Sequence, residues 1–359
     1  MCLYVLNRYR LLLLGIAALI VTAMLGSPAV RAQGGDREVA FADAEVPFQL
    51  SDDAASVPDS LGYHILPANT EAGENAPLNG PVGQVKTQAG ASVKPGAGLA
   101  QPGFFPADLS YFGGLWVKSG SSANIYYNCA DQSCWGNPEG FLTDLAASKF
   151  IHVVDQYIGS KANNRYPLSL ASTVHLSGGS SSLTSTDIES MVHQAVVQVG
   201  AGHIFHLFLP QGVDVCVGTD ICYSPDNPST FVFCAYHAAV TFQDLGGAMV
   251  AYTVEPYQDV TGCVLAPNAK GYPNGALADS TNSALSHELF ETITDPFPLS
   301  GWVAVNSLPE QGNEIGDVCH GPGNDSRQVI APSYVLARGH TYQTQLEYSN
   351  ARHACVVAP

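Results

Sequence analysis

Apolar positions spaced three and four residues apart mark three helices in this chain, and crowded or alternating apolar positions mark its strands. In "PEGFLTDLAASKFIHVVDQYIG", Phe141, Leu145, Phe150, Val153 or Val154 and Tyr157 predict a helix, continuous or broken, that ends at Gly159. "TSTDIESMVHQAVVQ" predicts a second, capped by Thr186 or Asp187, with Ile188, Met191, Val192, Ala195 and Val199 on one face and His193 on the solvent side. A third is expected around Leu285, Leu289 and Ile293, capped by Asn282 or Ser283, about three turns long and stopped by Pro296. Strand patterns fall in "GLWVKSGSSANIYYNC", read as a strand or hairpin about its Gly/Ser run, and in "HIFHLFLPQGVDVCV", which Pro210 interrupts. "TFVFCAYHAAVTF" and "GAMVAYTVEPY" are joined by the turn signal "QDLGG", and short strands fill Val329 to Val357. Strands and helices in this order predict an α+β domain.

The pattern is absent before residue 104. Residues 1–32 carry Arg8 and Arg10, an apolar run from Leu11 to Leu25 and small residues up to Ala32, the build of a secretory signal peptide. The run is shorter than the ~20 residues a spanning helix needs, so no stable membrane anchor is expected. Residues 33–103 are rich in Ala, Gly, Pro and acidic residues without a sustained period, which predicts a disordered linker or pro-segment. It has no cysteine and one histidine, His64. The folded domain is expected over 104–359.

Export changes the cysteine arithmetic. Beyond Cys2 there remain Cys129, Cys134, Cys216, Cys222, Cys234, Cys263, Cys319 and Cys355, an even set with no C-x-x-C pair, which favours disulfides over a zinc–thiolate cluster. Short loops close most easily, so neighbour pairing is the expectation: 129 with 134, 216 with 222, 234 with 263 and 319 with 355. A formal charge of −17 argues against nucleic acid as a partner and against anionic membranes.

The third helix holds the candidate chemistry, "SHELFETITDP". His287 and Glu291 stand one turn apart and can point at one centre, and Asp295 extends the same line. Two such ligands fix a cation, and Glu288 beside them can accept a proton from the water it activates. The usual form is H-E-x-x-H; here the second ligand is a glutamate. Downstream, "NEIGDVC" brings Glu314, 23 residues after Glu291, and Asp317. The arrangement is similar to that of thermolysin-like metallopeptidases, whose third ligand is a glutamate about twenty residues on and whose following aspartate orients the first histidine. That similarity implies Glu314 as third ligand and Asp317 as its orienting partner. The Glu314-to-Asp317 spacing is one residue shorter than in that group, so the two roles are interchangeable. His237 in "FCAYHAAVTF" is a reserve ligand or a buried hydrogen-bonded histidine. His203 and His206 are expected in packing or turn roles, and His320 lies within reach of the same centre.

Taken together, "IYYN", "HIFHLFLPQG", "FCAYH", "SHELFETITDP", Trp302, "EIGDVC" and the terminal "HACVV" resemble secreted zincin-like bacterial and fungal proteins, distantly similar to the plant phosphate-induced, or EXORDIUM-like, family. The resemblance covers most of Tyr126 to Val357. It implies a zincin-like metallopeptidase domain with a mixed sheet and an active-site helix: a secreted zinc-dependent hydrolase acting on protein or peptide. Many plant members lack the His-Glu pair, which this chain keeps. The resemblance therefore also admits a non-catalytic extracellular binding or cell-surface protein, with a structural zinc, a calcium held by the acidic cluster, or no metal.

Overall fold

The computed structural model describes residues 49–50, 62–70, 72, 107–158, 165–267, 269, 271–298, 300–304, 314–319, 333–335 and 338–359, all within a unit that spans 44–359. The signal-peptide segment and His320 lie outside the described residues.

Strands come first: β1 (Gln49–Leu50), β2 (Tyr63–Pro67), β3 (Ser110–Tyr111) and β4 (Val117–Tyr127). Helix α1 (Pro138–Ala146) and a 3-10 turn at Ile151–Gln156 follow, then β5 (Leu168–Leu170), β6 (Val174–Leu176) and β7 (Ser182–Thr184). Helix α2 (Ser185–Val199) leads to β8 (His203–Phe208), β9 (Asp214–Cys216), β10 (Cys222–Tyr223), β11 (Phe233–Phe242) and β12 (Ala248–Glu255). Helix α3 (Ala276–Thr294) precedes β13 (Trp302–Val303), β14 (Ser333–Val335), β15 (Thr341–Gln343), β16 (Glu347–Ser349) and β17 (Ala354–Val356).

The central sheet has the order β1-β4-β8-β12-β11-β2, with β5 and β6 also paired to β4. It is mixed: β4, β8 and β12 run parallel, while β11 is antiparallel to both β12 and β2. Its two faces bury different partners. On one face Ile125, Phe205, Val254 and Tyr236 pack with Ile188 and Val192 of α2. On the other, Tyr126, Ile204 and Phe208 share a core with α1, the 3-10 turn and α3. The chain is thus α+β with a mixed sheet.

Several expectations meet their outcome here. The four disulfides are Cys129–Cys134, Cys216–Cys222, Cys234–Cys263 and Cys319–Cys355, the neighbour pairing. The first helical pattern is broken, as one of its two readings had it, into α1 and the 3-10 turn. Helix α2 is capped earlier than expected, by Thr184 in place of Thr186 or Asp187, with Asp187 closing a capping box. The Gly/Ser run near Ser121 is no hairpin turn. It lies inside one straight strand of 11 residues, because its buried hydroxyls meet histidines: Ser121 Oγ lies 2.6 Å from His203 Nδ1 and Ser122 Oγ 2.9 Å from His206 Nε2. Both histidines thus have the buried packing role expected of them.

The largest correction concerns the segment read as a linker. Tyr63–Pro67 is the edge strand of the central sheet, paired with β11 from Phe233 to Ala238. Its Ile65 is fully buried in the core. Five residues with alternating sides suffice for an edge strand, and the Pro/Gly-rich composition around them masks it.

Candidate metal centre

Register positions the site. Asn124 of β4 pairs with His206 of β8, His206 with Thr253 of β12, Thr253 with His237 of β11, and His237 with His64 of β2. Residues opposed in register project to the same side of a sheet, so these five form one polar row across it, all fully buried. Helix α3 lies over that side, against β11 and β12.

Helix α3 is 19 residues long and begins at Ala276, earlier than expected. Asn282 and Ser283 are therefore interior residues; Ser283 Oγ accepts from the Gln345 backbone at 2.9 Å. Its end at Pro296 is as expected. The helix is buried on all sides, which excludes the polar face of a surface helix. Leu285, Leu289, Phe290 and Ile293 pack into the apolar core, with Phe290 against Phe150 at 4.8 Å between rings. His287, Glu288 and Glu291 join the polar row.

Two groups result whose ligand atoms lie within 4.8 Å of one another: His64, Glu291 and Asp317, and His237, Glu288 and Glu291. In the first, His64 Nε2 is 2.8 Å from Asp317 Oδ2 and 3.9 Å from Glu291 Oε2. His287 Nε2 joins it, 3.1 Å from Glu291 Oε1 and 3.9 Å from Asp317 Oδ1. Ligand atoms about 2.0–2.1 Å from a tetrahedral zinc stand about 3.3 Å apart, so these four side chains have the spread of a coordination shell. In the second group, His237 Nδ1 lies 3.1 Å from Glu288 Oε2 and 3.6 Å from Glu291 Oε2.

The outer contacts fix which nitrogen faces inward. Gln345 donates its Nε2–H to the Gly316 carbonyl at 2.5 Å, so its Oε1 is the atom 3.3 Å from His287 Nδ1. A carbonyl oxygen only accepts; Nδ1 therefore carries the proton and the Nε2 lone pair faces Glu291. His237 Nε2 donates to the Asp295 carbonyl at 3.2 Å, which leaves its Nδ1 lone pair toward Glu288 and Glu291. Glu314 sits on the outer side, 3.5 Å from His64 Nδ1 and 3.6 Å from His237 Nε2. Asp317 is on the inner side, and its Oδ2 also accepts from the Glu314 backbone at 3.0 Å. Asp317 therefore lies nearer His64 Nε2 and His287, and Glu314 nearer the outer nitrogens of His64 and His237, which is the exchanged order of the two residues. The Asp295 carboxylate accepts from the Ser300 and Gly301 backbone at the end of α3 and is in neither candidate group.

Electrostatics mark the same place. Among the described residues, neither oxygen of Glu291 or of Glu314 accepts a hydrogen bond, nor does Glu288 Oε1. Burial, then Glu291 and other nearby carboxylates, push Glu288 well above the usual carboxylate range. Burial followed by Asp295 and Glu291 does the same to Glu314. Burial, then His64 and His287, hold the His237 imidazole well below its ordinary value. For His287, burial pulls down while Glu291 and Asp317 pull up, with a net rise. A cation at the centre of such a cluster would offset its buried carboxylates.

Sequence reasoning missed His64 and Glu347. The latter, fully buried in β16 with neither oxygen hydrogen-bonded, is driven up by burial, then by Glu291 and Asp317. The only available signal for His64 was that it stands alone in its segment between strand-forming Tyr63 and Ile65. The chain matches no family model, and comparison with curated proteins and with solved structures returns no similar protein.

Proposed function

We propose that this chain is an exported metal-dependent hydrolase, a zinc peptidase of zincin-like type, whose cation is held by His64, His287, Glu291 and Asp317. The observation that carries the reading is the convergence of these four side chains from β2, α3 and the 314–319 segment, with Glu291 oxygens that accept no hydrogen bond. A bound zinc supplies Lewis acidity to an oxygen placed at the centre, tempered by its two carboxylate ligands. Glu288 follows His287 on α3 and takes up the proton of the attacking water through Oε1. Gln345 holds the His287 imidazole in the tautomer that coordination needs, and Glu314 stands 3.5 Å from the outer nitrogen of His64. Four disulfides, and no described helix long and apolar enough to cross a membrane, are consistent with an extracellular setting.

Complete burial of these side chains favours a second reading, a non-catalytic extracellular scaffold with a structural metal. Calcium, which takes oxygen ligands, fits the two imidazoles of this set poorly. Zinc content and peptide hydrolysis, measured side by side for the wild type, His64→Ala, His287→Ala and Glu288→Gln, separate the readings. Both histidine variants are expected to lose most metal and activity. Glu288→Gln should keep at least one zinc per chain while hydrolysis falls roughly 10²- to 10⁴-fold. Equal hydrolysis in the wild type and Glu288→Gln would leave the scaffold as the better account.

A further inference from the structure

On the β11 side of the cluster, acceptors face acceptors. His237 Nε2 lies 3.2 Å from the Asp295 carbonyl, and its Nδ1 lies at hydrogen-bond distance, 3.1 Å, from Glu288 Oε2 and 3.6 Å from Glu291 Oε2; with the Nε2–H given to the carbonyl, the Nδ1 lone pair faces both carboxylates. Lone pairs this close in a water-free interior repel unless a proton or a cation lies between them. Glu291 is also divided between two places: its Oε1 is 3.1 Å from His287 Nε2, while its Oε2 is turned to His237. A carboxylate with one oxygen toward each of two imidazoles has the disposition of a bridging ligand.

Charge points the same way. Glu288, Glu291, Glu314 and Glu347 are fully buried, and among the described residues no lysine or arginine pairs with any of them. Burying an unpaired carboxylate costs several kcal/mol. With Asp317, also fully buried, the cluster holds five carboxylates; one divalent cation offsets two of them, and two offset four. We propose that the centre is binuclear, with a second divalent cation, zinc or manganese in class, held by His237 Nδ1, Glu288 and Glu291 beside the first. The inference rests on the reading that the cluster binds a cation, and adds a site to it. Glu288 then meets the second cation through Oε2 and keeps Oε1 for the proton.

The test is stoichiometric. The full exported chain is stripped with a chelator, reloaded with zinc alone, dialysed and counted for zinc per chain, alongside His237→Ala, with circular dichroism as a check on folding. Two zinc per chain in the wild type and one in His237→Ala are expected. A single zinc in the folded wild type overturns the second site; if hydrolysis still depends on Glu288, the hydrolase reading survives. Two zinc without hydrolysis keeps the binuclear centre and removes the hydrolase. Should His237→Ala not fold, the wild type loaded with manganese(II) decides instead: a spin-coupled resonance is expected, and the spectrum of isolated ions at saturation overturns the proposal.

Discussion

At the scale of single residues, the inner ring of ligands depends on an outer ring that has no chemistry of its own. Gln345 links His287 to the Gly316 carbonyl and so selects the His287 tautomer. Gly316 is needed for a different reason: a Cβ there would land on the His287 ring and 3.0 Å from Glu291 Oε1, so no larger residue fits without displacing both. Gln345→Ala and Gly316→Ala are expected to weaken zinc binding about 10- to 100-fold, the usual effect of losing an outer-shell partner, as read by competition with a chromogenic chelator. Unchanged affinity in both would mean that His287 is not a ligand. A second residue, His206, sits in the polar row between Ser122 and Thr253 and is lowered by burial to about 3. Its unfolded form titrates near 6.5, so between those values the unfolded chain binds a proton the folded chain refuses. The stability His206 gives is complete above pH 6.5 and is lost as pH falls, by about 1.4 kcal/mol per pH unit. In denaturant titrations the advantage of the wild type over His206→Gln should be constant above pH 7 and smaller by about 1 kcal/mol at pH 5.5. A gap that does not change with pH would show that His206 is not held neutral.

Elements differ in how openly the sequence declares them. The end of α3 was legible because Pro296 cannot continue a helix; its start was not, because Asn282 and Ser283 resemble caps until tertiary partners such as the Gln345 backbone claim them. Likewise the Gly/Ser run of β4 has a turn's composition, and only the histidines of β8 explain its burial. His287, Glu288 and Glu291 were legible from helical spacing alone. His64 and His237 were harder, since strands bring them together by register across chain separations that no local pattern encodes. Strand β2 is thus the element whose importance was least visible. A chain beginning at Ala107 lacks it, and with it His64 and the buried Ile65, a side chain whose burial alone is worth about 1.5–3 kcal/mol. That shortened chain is expected to bind zinc far more weakly and to melt several degrees lower. If it keeps the melting temperature and zinc content of the full chain, the strand is the dispensable spacer that composition suggests.

Over the whole molecule, the candidate ligands come from parts of the chain far apart in sequence, and one crosslink ties down the segment that carries Asp317. Glu314 and Asp317 lie in a short segment that ends at Cys319, which is fully buried and bonded to Cys355 in β17. Between them the Tyr348 backbone donates to the Ile315 carbonyl at 3.1 Å, and Gln345 and Glu347 face the centre from the same terminal stretch. The disulfide closes a loop with a sequence separation of 36, for which the chain-entropy estimate is about 4 kcal/mol. Its loss should therefore act twice, on the stability of the fold and on the position of Asp317. Without reductant the exported chain is expected to show almost no free thiol. Cys319→Ser with Cys355→Ser should lower the melting temperature and, in the still-folded protein at low temperature, weaken zinc binding. Cys129→Ser with Cys134→Ser opens a bridge of separation 5 that follows β4 and crosslinks no segment carrying a candidate ligand. It should cost less stability and leave zinc affinity unchanged. Equal zinc affinity in the two double variants would show that the 314–319 segment is positioned by the sheet and α3 alone, with the terminal hairpin only covering it.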